Sequence, residues 1–371
     1  MNVLITGGAG FIGSHVADEL LRRGHRVTAL DSLDSQVHPR RVRPRYLDRR
    51  VRLQVGDVTK PGDVRKALQG AAAVVHFAAR VGVGQSQYEV DRYVRTNDVG
   101  TGVVLQGMLN LPSRRRPRRM VVAGSMSAYG EGLYRCATCG PVQPNLRSAR
   151  DVAGGRWDPR CPNGHGSLTP VPTTEDTPRR GASVYALTKS HQEDLVLAVC
   201  GAHAIPAMAL RFFNVYGPRQ ALGNPYTGVA AIFLARLRNR HRPVVYEDGR
   251  QTRDFVAVED VARAVADAVE SDASGAVCNV GSGAPIAIAD LALALARAEG
   301  TDIAPEIAHR FRSGDVRHCT ADIANIRSVL GWKPRITLAK GLKALAEATR
   351  NEKPPDQFSR AAAELRRWKL A

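Results

Sequence analysis

The 371-residue sequence predicts an α/β fold built on a doubly wound parallel sheet, with a smaller α/β domain toward the C-terminus. Three observations carry this reading. Short apolar, β-rich runs alternate with helix-length amphipathic stretches, a glycine-rich turn directly follows the first run, and an acid closes the second. Runs that are apolar on both faces belong in a sheet covered by helices on both sides, because a half-exposed strand would alternate apolar with polar.

The strands are expected at "NVLIT" (2–6), "RVTALD" (26–31), "VRLQVGD" (51–57), "AAVVHFAA" (72–79), "RMVVAGS" (119–125) and "AMALRFF" (207–213). Each is rich in Val, Ile, Leu or aromatic residues and is bounded by polar or glycine-containing segments. A helix opens near Ser183. Between Gly130 and Thr177 the pattern stops, and Pro, Gly, Arg and polar residues follow without a period. That stretch reads as an inserted loop module, 131–176. Beyond about residue 220, smaller α and β pieces lead to a last amphipathic helix, "LAKGLKALAEATRNE".

The expected organisation is therefore a nucleotide-binding domain over 1–182 and a segment, 183–350, that completes the sheet and forms the substrate domain. Residues 351–371, after "KPP", read as a tail with room for one helix. No internal repeat is present.

At 44% hydrophobic residues the chain can bury a large core. No apolar run reaches membrane-spanning length, and Met1 leads straight into a strand, so a cytoplasmic protein with no membrane association is expected. The balance of 53 Lys+Arg against 35 Asp+Glu, +18 overall, implies anionic partners. The arginine runs at 39–50 and 113–119 fit solvated loop faces better than nucleic-acid contact. Cys200, Cys278 and Cys319 sit in apolar segments and read as buried, inert thiols.

The turn "ITGGAGFIGSH" places Gly7, Gly10 and Gly13 between a strand and a helix, with Phe11 and Ile12 at the helix start. Glycine lets the backbone turn tightly, approach a pyrophosphate and pack helix against strand. Asp31 lies 18 residues past Gly13 at the end of the second strand, placed to accept hydrogen bonds from an adenosine ribose and to repel a 2′-phosphate. NAD is favoured over NADP on that ground, with Arg40 and Arg41 keeping the phosphorylated form open. Asp57 and Val58 are placed to meet the adenine.

"SVYALTK" sets Tyr185 and Lys189 at i and i+4 on one helix face, and Ser125 closes the strand 119–125. A tyrosine hydroxyl is a poor base at neutral pH, but an adjacent ammonium favours its phenolate.

With these residues in place, the sequence resembles the extended short-chain dehydrogenase/reductase family, a Rossmann-fold group, and in particular its nucleotide-sugar epimerases and dehydratases. The resemblance runs from Met1 to about residue 345 apart from the insert. It is carried by "TGGAGFIGSH", "GDV" (56–58), "HFAA" (76–79), "TND" (96–98), "SMSAYG" (125–130), "YALTK" (185–189), "RFFNVYGPRQ" (211–220), "RDFVAVEDVARA" (253–264), "NVGSG" (279–283) and "LGWKP" (330–334). It implies Tyr185 as base, Lys189 holding the nicotinamide ribose and tuning that base, and Ser125 bonding the reacting sugar hydroxyl. Ala78 and Asn97 become cofactor contacts. Asn214, Arg253, Arg312 and Asp315 become contacts to the nucleotide sugar. A homodimer is implied as well, through two helices of which one carries Tyr185.

The dehydratases and the decarboxylase of this family carry a glutamate two residues before the tyrosine of the "YG" motif. Here that position is Ser127. A hydroxyl cannot do the carboxylate's acid/base work, so oxidation and reduction alone remain. The expected activity is an NAD-dependent nucleotide-sugar 4-epimerase acting through a transient 4-keto sugar. A 4-keto-sugar reductase using NAD(P)H is the runner-up, and a nucleotide-sensing or RNA-binding protein on the same fold is the rival from another class.

Within the insert, Cys136, Cys139, Cys161 and His165 follow C-x2-C-x21-C-x3-H. Three thiolates and an imidazole complete a tetrahedral zinc shell with no position left for a substrate, so a structural Zn2+ site is expected. A redox C-x-x-C pair is the alternative reading.

Overall fold

The computed structural model describes residues 1–226, 228–312, 314–352 and 354–370. Its centre is a seven-stranded, all-parallel sheet made of β1 (Asn2–Thr6), β2 (Arg26–Asp31), β3 (Arg52–Val55), β4 (Ala73–His76), β5 (Met120–Ser125), β6 (Ala207–Phe212) and β7 (Ala276–Val280). The spatial order is β7-β6-β5-β4-β1-β2-β3. The chain thus starts in the middle, winds outward to β3, then returns past β1 and winds the other way. The change of direction opens a crevice at the carboxyl ends of β1 and β4.

Alternate side chains of each strand feed different cores. Val3, Ile5, Val75 and Val121 pack on one side with the helices Phe11–Arg22 and Val258–Glu270. Leu4, Val74, Met120 and Val122 pack on the other with Gly100–Leu109 and Val184–Ala202. Both layers are buried over the central strands β1, β4, β5 and β6, which is why those read as apolar runs, whereas the edge strand β3 is partly exposed. Truncating Leu4, 1% exposed, to Ala would cost about 2–5 kcal/mol in lost burial and cavity formation.

The second lobe joins a four-stranded sheet (Asn214–Tyr216, Thr252–Ala257, Pro285–Ala287, His318–Cys319) to the helices Val229–Arg238, Ile288–Glu299 and Leu338–Ala348. Several of the motif residues prove to be its joinery. Asp254 accepts from the backbone of Ser282 (2.7 Å), Gly283 (2.9 Å) and Ala321 (3.1 Å). Trp332 donates its indole N–H to the Asp260 carbonyl at 3.0 Å.

The insert is less irregular than its composition suggested. Tyr134–Cys136 pairs antiparallel with both Gly140–Val142 and Thr169–Pro170, and a short helix spans Ala149–Ala153. Strands of two or three residues are too short to show a period, so the sequence could not announce them. The last residues carry the helix Phe358–Arg367, which packs back onto the body. Among the described residues no helix is long and apolar enough to cross a membrane. Cys200, Cys278 and Cys319 are buried free thiols, pushed up to about 11, 12 and 12 by burial.

Candidate active site

A cleft of about 1100 Å³ runs along the carboxyl edge of the sheet and between the two lobes. Gly7, Gly10, Phe11, Ile12 and Gly13 form its floor. Gly7 takes φ +70°, and a Cβ on Gly13 would stand 2.3 Å from the Gly7 carbonyl oxygen, so neither position accepts another residue. The helix that starts at Phe11 has no side-chain cap and no acid in its first turn. Its positive end therefore faces the cleft without an internal counter-charge, the arrangement that suits a pyrophosphate.

Asp31 borders the same cleft. Its carboxylate accepts from the N–H of Ala9 at 3.0 Å and of Leu33 at 2.9 Å, which takes two of its roughly four lone-pair sites and fixes its direction. Asp57 is held by Thr59, whose N–H and hydroxyl both donate at 2.9 Å, with Val58 buried beside it. Asp57, Val58 and Ala78 all line the cleft.

Ser125 ends β5, and Ser183 caps the helix Val184–Ala202 by accepting from Ala186 N–H at 3.1 Å. Strand end and helix start thereby bring Ser125, Tyr185 and Lys189 to one corner of the cleft. Burial pushes the Tyr185 phenol above its ordinary range, while a hydrogen bond with Ser125 opposes this. Ser127, two residues before Tyr129, donates its hydroxyl to Ser125 at 2.9 Å.

Lys189 is 4% exposed, and burial lowers its ammonium to about 7 against the opposing pull of Glu193. Its Nζ donates to Gln192 Oε1 at 2.6 Å, and Gln192 Nε2 donates to Thr101 Oγ1 at 2.8 Å. His76 bonds Thr6 at 2.7 Å and Thr101 at 2.9 Å, and its full burial keeps it neutral, lowered to about 3. The lysine thus stands on a neutral polar chain that fixes its position.

Asn97 sits in a π-helical turn, Val94–Val99, fully buried beneath the loop that follows β4. It accepts from Arg80 N–H at 2.7 Å and donates to Arg80 O at 3.2 Å and to Thr188 at 2.9 Å. It borders the cleft through Arg80 and does not line it. Such turns recur at functional sites because they re-aim a side chain within a helix.

On the facing lobe, Asn214, Arg253, Arg312 and Asp315 all line the cleft. Asn214 donates to the Asp254 carbonyl at 3.1 Å. Arg253 is tied to three carbonyls, Thr252 (2.8 Å), Val316 (2.6 Å) and Arg317 (3.1 Å), and so pins the segment carrying Arg312 and Asp315. Those two pair at 2.9 Å, with the Arg312 guanidinium over the Tyr246 ring at 4.7 Å.

The insert braces this segment from behind. Arg147, buried, donates to Glu131 (2.9 Å) and to the Asp315 carbonyl (2.8 Å) and pairs with Glu247 (2.9 Å). Arg317 pairs with Glu247 (2.9 Å), Asp248 (2.6 Å) and Asp158 (2.7 Å). At the outer end of the insert Cys136, Cys139, Cys161 and His165 converge, with all four ligand atoms within 4.8 Å of one another. The Cys139 and Cys161 sulfurs are 3.5 Å apart, far beyond a disulfide and near the edge of a tetrahedron with metal–sulfur bonds of about 2.3 Å. Gly164 and Gly166, at φ +82° and +88°, flank His165 and turn it back toward the sulfurs.

Residues 3–147 match the family model described as the NAD dependent epimerase/dehydratase family, and residues 163–345 match the model described as GDP-mannose 4,6 dehydratase. The unmatched stretch between them lies inside the insert. A dTDP-L-rhamnose 4-epimerase of Burkholderia thailandensis is 35% identical over 352 residues, 92% of this chain and 93% of that protein. The chain belongs to the NAD dependent epimerase/dehydratase family. It is an extended short-chain dehydrogenase/reductase, as the motifs implied. The family spans more than one reaction: a dTDP-glucose 4,6-dehydratase of Streptomyces griseus is 30% identical over 92% of both chains. The solved UDP-glucose 4-epimerase of Thermotoga maritima, in complex with UDP-glucose, superposes with a TM-score of 0.77 at 29% identity, covering 94% of this chain and 99% of that one.

Sequence reasoning gave no role to Gln192, one turn after Lys189 on its helix, to Thr101, or to His76 beyond its place in "HFAA". It also missed Leu146 of the insert and the tail residues Phe358, Ala361, Ala362 and Leu365, all of which line the cleft.

Proposed function

We propose that the protein is a nucleotide-sugar 4-epimerase that uses NAD. The observation that carries this reading is the corner where Ser125, Tyr185 and Lys189 meet with Ser127, and no carboxylate, at the elimination position. The glycine floor, the uncapped helix end and the aimed Asp31 carboxylate fit a dinucleotide, with Asp57, Val58 and Ala78 along the adenosine half and Asn97 bracing the loop above.

When bound, NAD supplies a hydride acceptor and donor at C4 of the sugar. The side chains do the rest. Tyr185 takes the proton of the C4 hydroxyl and later returns it, while Ser125 holds that oxygen by a hydrogen bond. The Lys189 ammonium lowers the cost of the Tyr185 phenolate, and the neutral Gln192 and His76 chain keeps that charge aimed at it. Asn214, Arg253, Arg312 and Asp315 hold the nucleotide diphosphate, which leaves the 4-keto sugar free to present its other face. The rhamnose 4-epimerase relative supports a dTDP-sugar as the first candidate.

The Cys136, Cys139, Cys161 and His165 cluster holds a structural Zn2+ in this reading, because four protein ligands close the shell. Exposed Val99, Leu187 and Leu195, on neighbouring helices of one face, support a homodimer. The deciding experiment is NMR of the purified protein with dTDP-, UDP- and GDP-sugars and no added cofactor. A new C4 epimer is expected from one of them. Consumption of added NADH with a 4-keto sugar, and no epimer without it, would transfer the assignment to a reductase.

A further inference from the structure

The tail sequence "FSRAAAELRR" puts Phe358, Ala361, Ala362 and Leu365 at i, i+3, i+4 and i+7, one apolar stripe on a ten-residue helix. A helix of that length is marginal alone and needs tertiary contacts. Its stripe faces into the cleft, and Arg360, Arg366 and Arg367 face solvent.

The two ends are anchored on different lobes. At the start, Asp356 accepts from Arg236 (3.1 Å) and His241 (2.7 Å), Arg236 lies 4.7 Å from the Phe358 ring, and the Pro354 carbonyl accepts from Asn239 (2.9 Å); all three partners belong to the second lobe. At the far end, Trp368 stacks on Tyr88 at 5.8 Å with the rings parallel to 2°, and Tyr88 donates to Glu364 at 3.1 Å. Leu365 presses on Gly84, where an added Cβ would stand 2.9 Å from it.

The segment it presses on holds the catalytic helix. Tyr185 N–H donates to Ser86 Oγ at 3.0 Å, and Val184 N–H donates to Gln87 Oε1 at 3.3 Å. The helix Phe358–Arg367 therefore crosses from lobe to lobe beside the end of the cleft that carries Tyr185.

We infer that this C-terminal helix is part of the substrate site: a clasp whose apolar face walls the sugar end and retains the transient 4-keto sugar until it is reduced again. The inference rests on the epimerase reading. The 4-keto sugar turns over while it is held only through its nucleotide diphosphate, so closure of the pocket over the sugar end adds to its retention. At the far end the anchors are side-chain contacts of Trp368, Glu364 and Leu365, and Trp368 is 52% exposed, as a wall that must open for substrate requires.

The test compares the full chain with a variant lacking 355–371 and with Leu365→Asp, which leaves the chain length unchanged. Both variants should release free 4-keto sugar during turnover, seen by NMR, and should accumulate absorbance at 340 nm as enzyme is left reduced; the full chain should do neither. In stopped flow both should release bound nucleotide sugar at least roughly tenfold faster. Unchanged release rates and no free ketone in Leu365→Asp would overturn the clasp. If the full chain epimerises no sugar, the epimerase reading fails, and the release rates, which need no turnover, still decide whether the helix closes the site.

Discussion

Two buried cations in this protein live in opposite surroundings. Arg317, with its side chain 2% exposed, meets three carboxylates, Glu247, Asp248 and Asp158, within 3 Å. Lys189 is equally hidden but is held by a neutral amide, Gln192, and burial lowers its ammonium to about 7. Satisfied pairing makes Arg317 a strut joining the insert to the second lobe. Lys189 is held by a neutral amide instead, with Glu193 opposing the effect of burial. A buried cation short of paired counter-charge, more than burial alone, is what makes a residue a candidate for function.

The largest effect should come from the poorly paired corner. Tyr185→Phe is expected to lower kcat by roughly 10²–10⁴-fold with an unchanged melting temperature, because it removes a proton acceptor and little packing. Steady-state NMR kinetics beside calorimetry check both halves. A large loss of stability would mean the hydroxyl is structural after all.

The strut should behave in the reverse way. Arg147 shares Glu247 with Arg317; Arg147→Met leaves Glu131, fully buried, without its ion pair and Glu247 with Arg317 alone, and should cost about 3–5 kcal/mol in urea unfolding. Any residual activity should show a raised KM more than a lowered kcat, since the Asp315 carbonyl loses its donor.

Metal removal tests the outer end of the same module. Cys139→Ser should lose stoichiometric zinc, measured by mass spectrometry, and melt several degrees lower while the NAD content stays the same. Zinc-free wild-type protein with unaltered stability would dismiss the metal site.

The last effect concerns pH. The folded-state pKa of Lys189, about 7, lies below the ordinary value of 10.5, so between those values the unfolded chain binds the extra proton. Stability from this group should therefore rise as pH climbs through that window, with the full cost of the buried charge present below it. Lys189→Met should flatten this component, on the order of a few kcal/mol, in a comparison of pH 6.5 and pH 10 melts.

Much of the frame was legible in the residues. β1, β2 and the Gly7–Gly13 turn stand where the apolar runs and glycines put them, because dry parallel strands and tight turns leave local signatures. β7, Ala276–Val280, was hidden among shorter pieces, since a five-residue run flanked by polar residues could equally end a helix. Asp31, read from its spacing, and Arg312, implied by resemblance, do border the cleft, whereas Asn97, also implied by resemblance, reaches it only through Arg80. "RDF", "NVGSG" and "LGWKP" look like site motifs in one dimension but contain joinery, Asp254 to Ser282 and Trp332 to Asp260.

The sequence by itself determined the sheet class, the glycine turn after β1 and the helical spacing of Tyr185 and Lys189. All of these are set by residues close together in the chain, where spacing translates directly into geometry. Only the tertiary structure decided which charges were paired. It joined Arg147 to Asp315 across 168 positions, put His76 against Gln192 and laid Leu365 on Gly84. Contacts at such separations arise from how two lobes and an insert pack, and packing is a property of the whole fold.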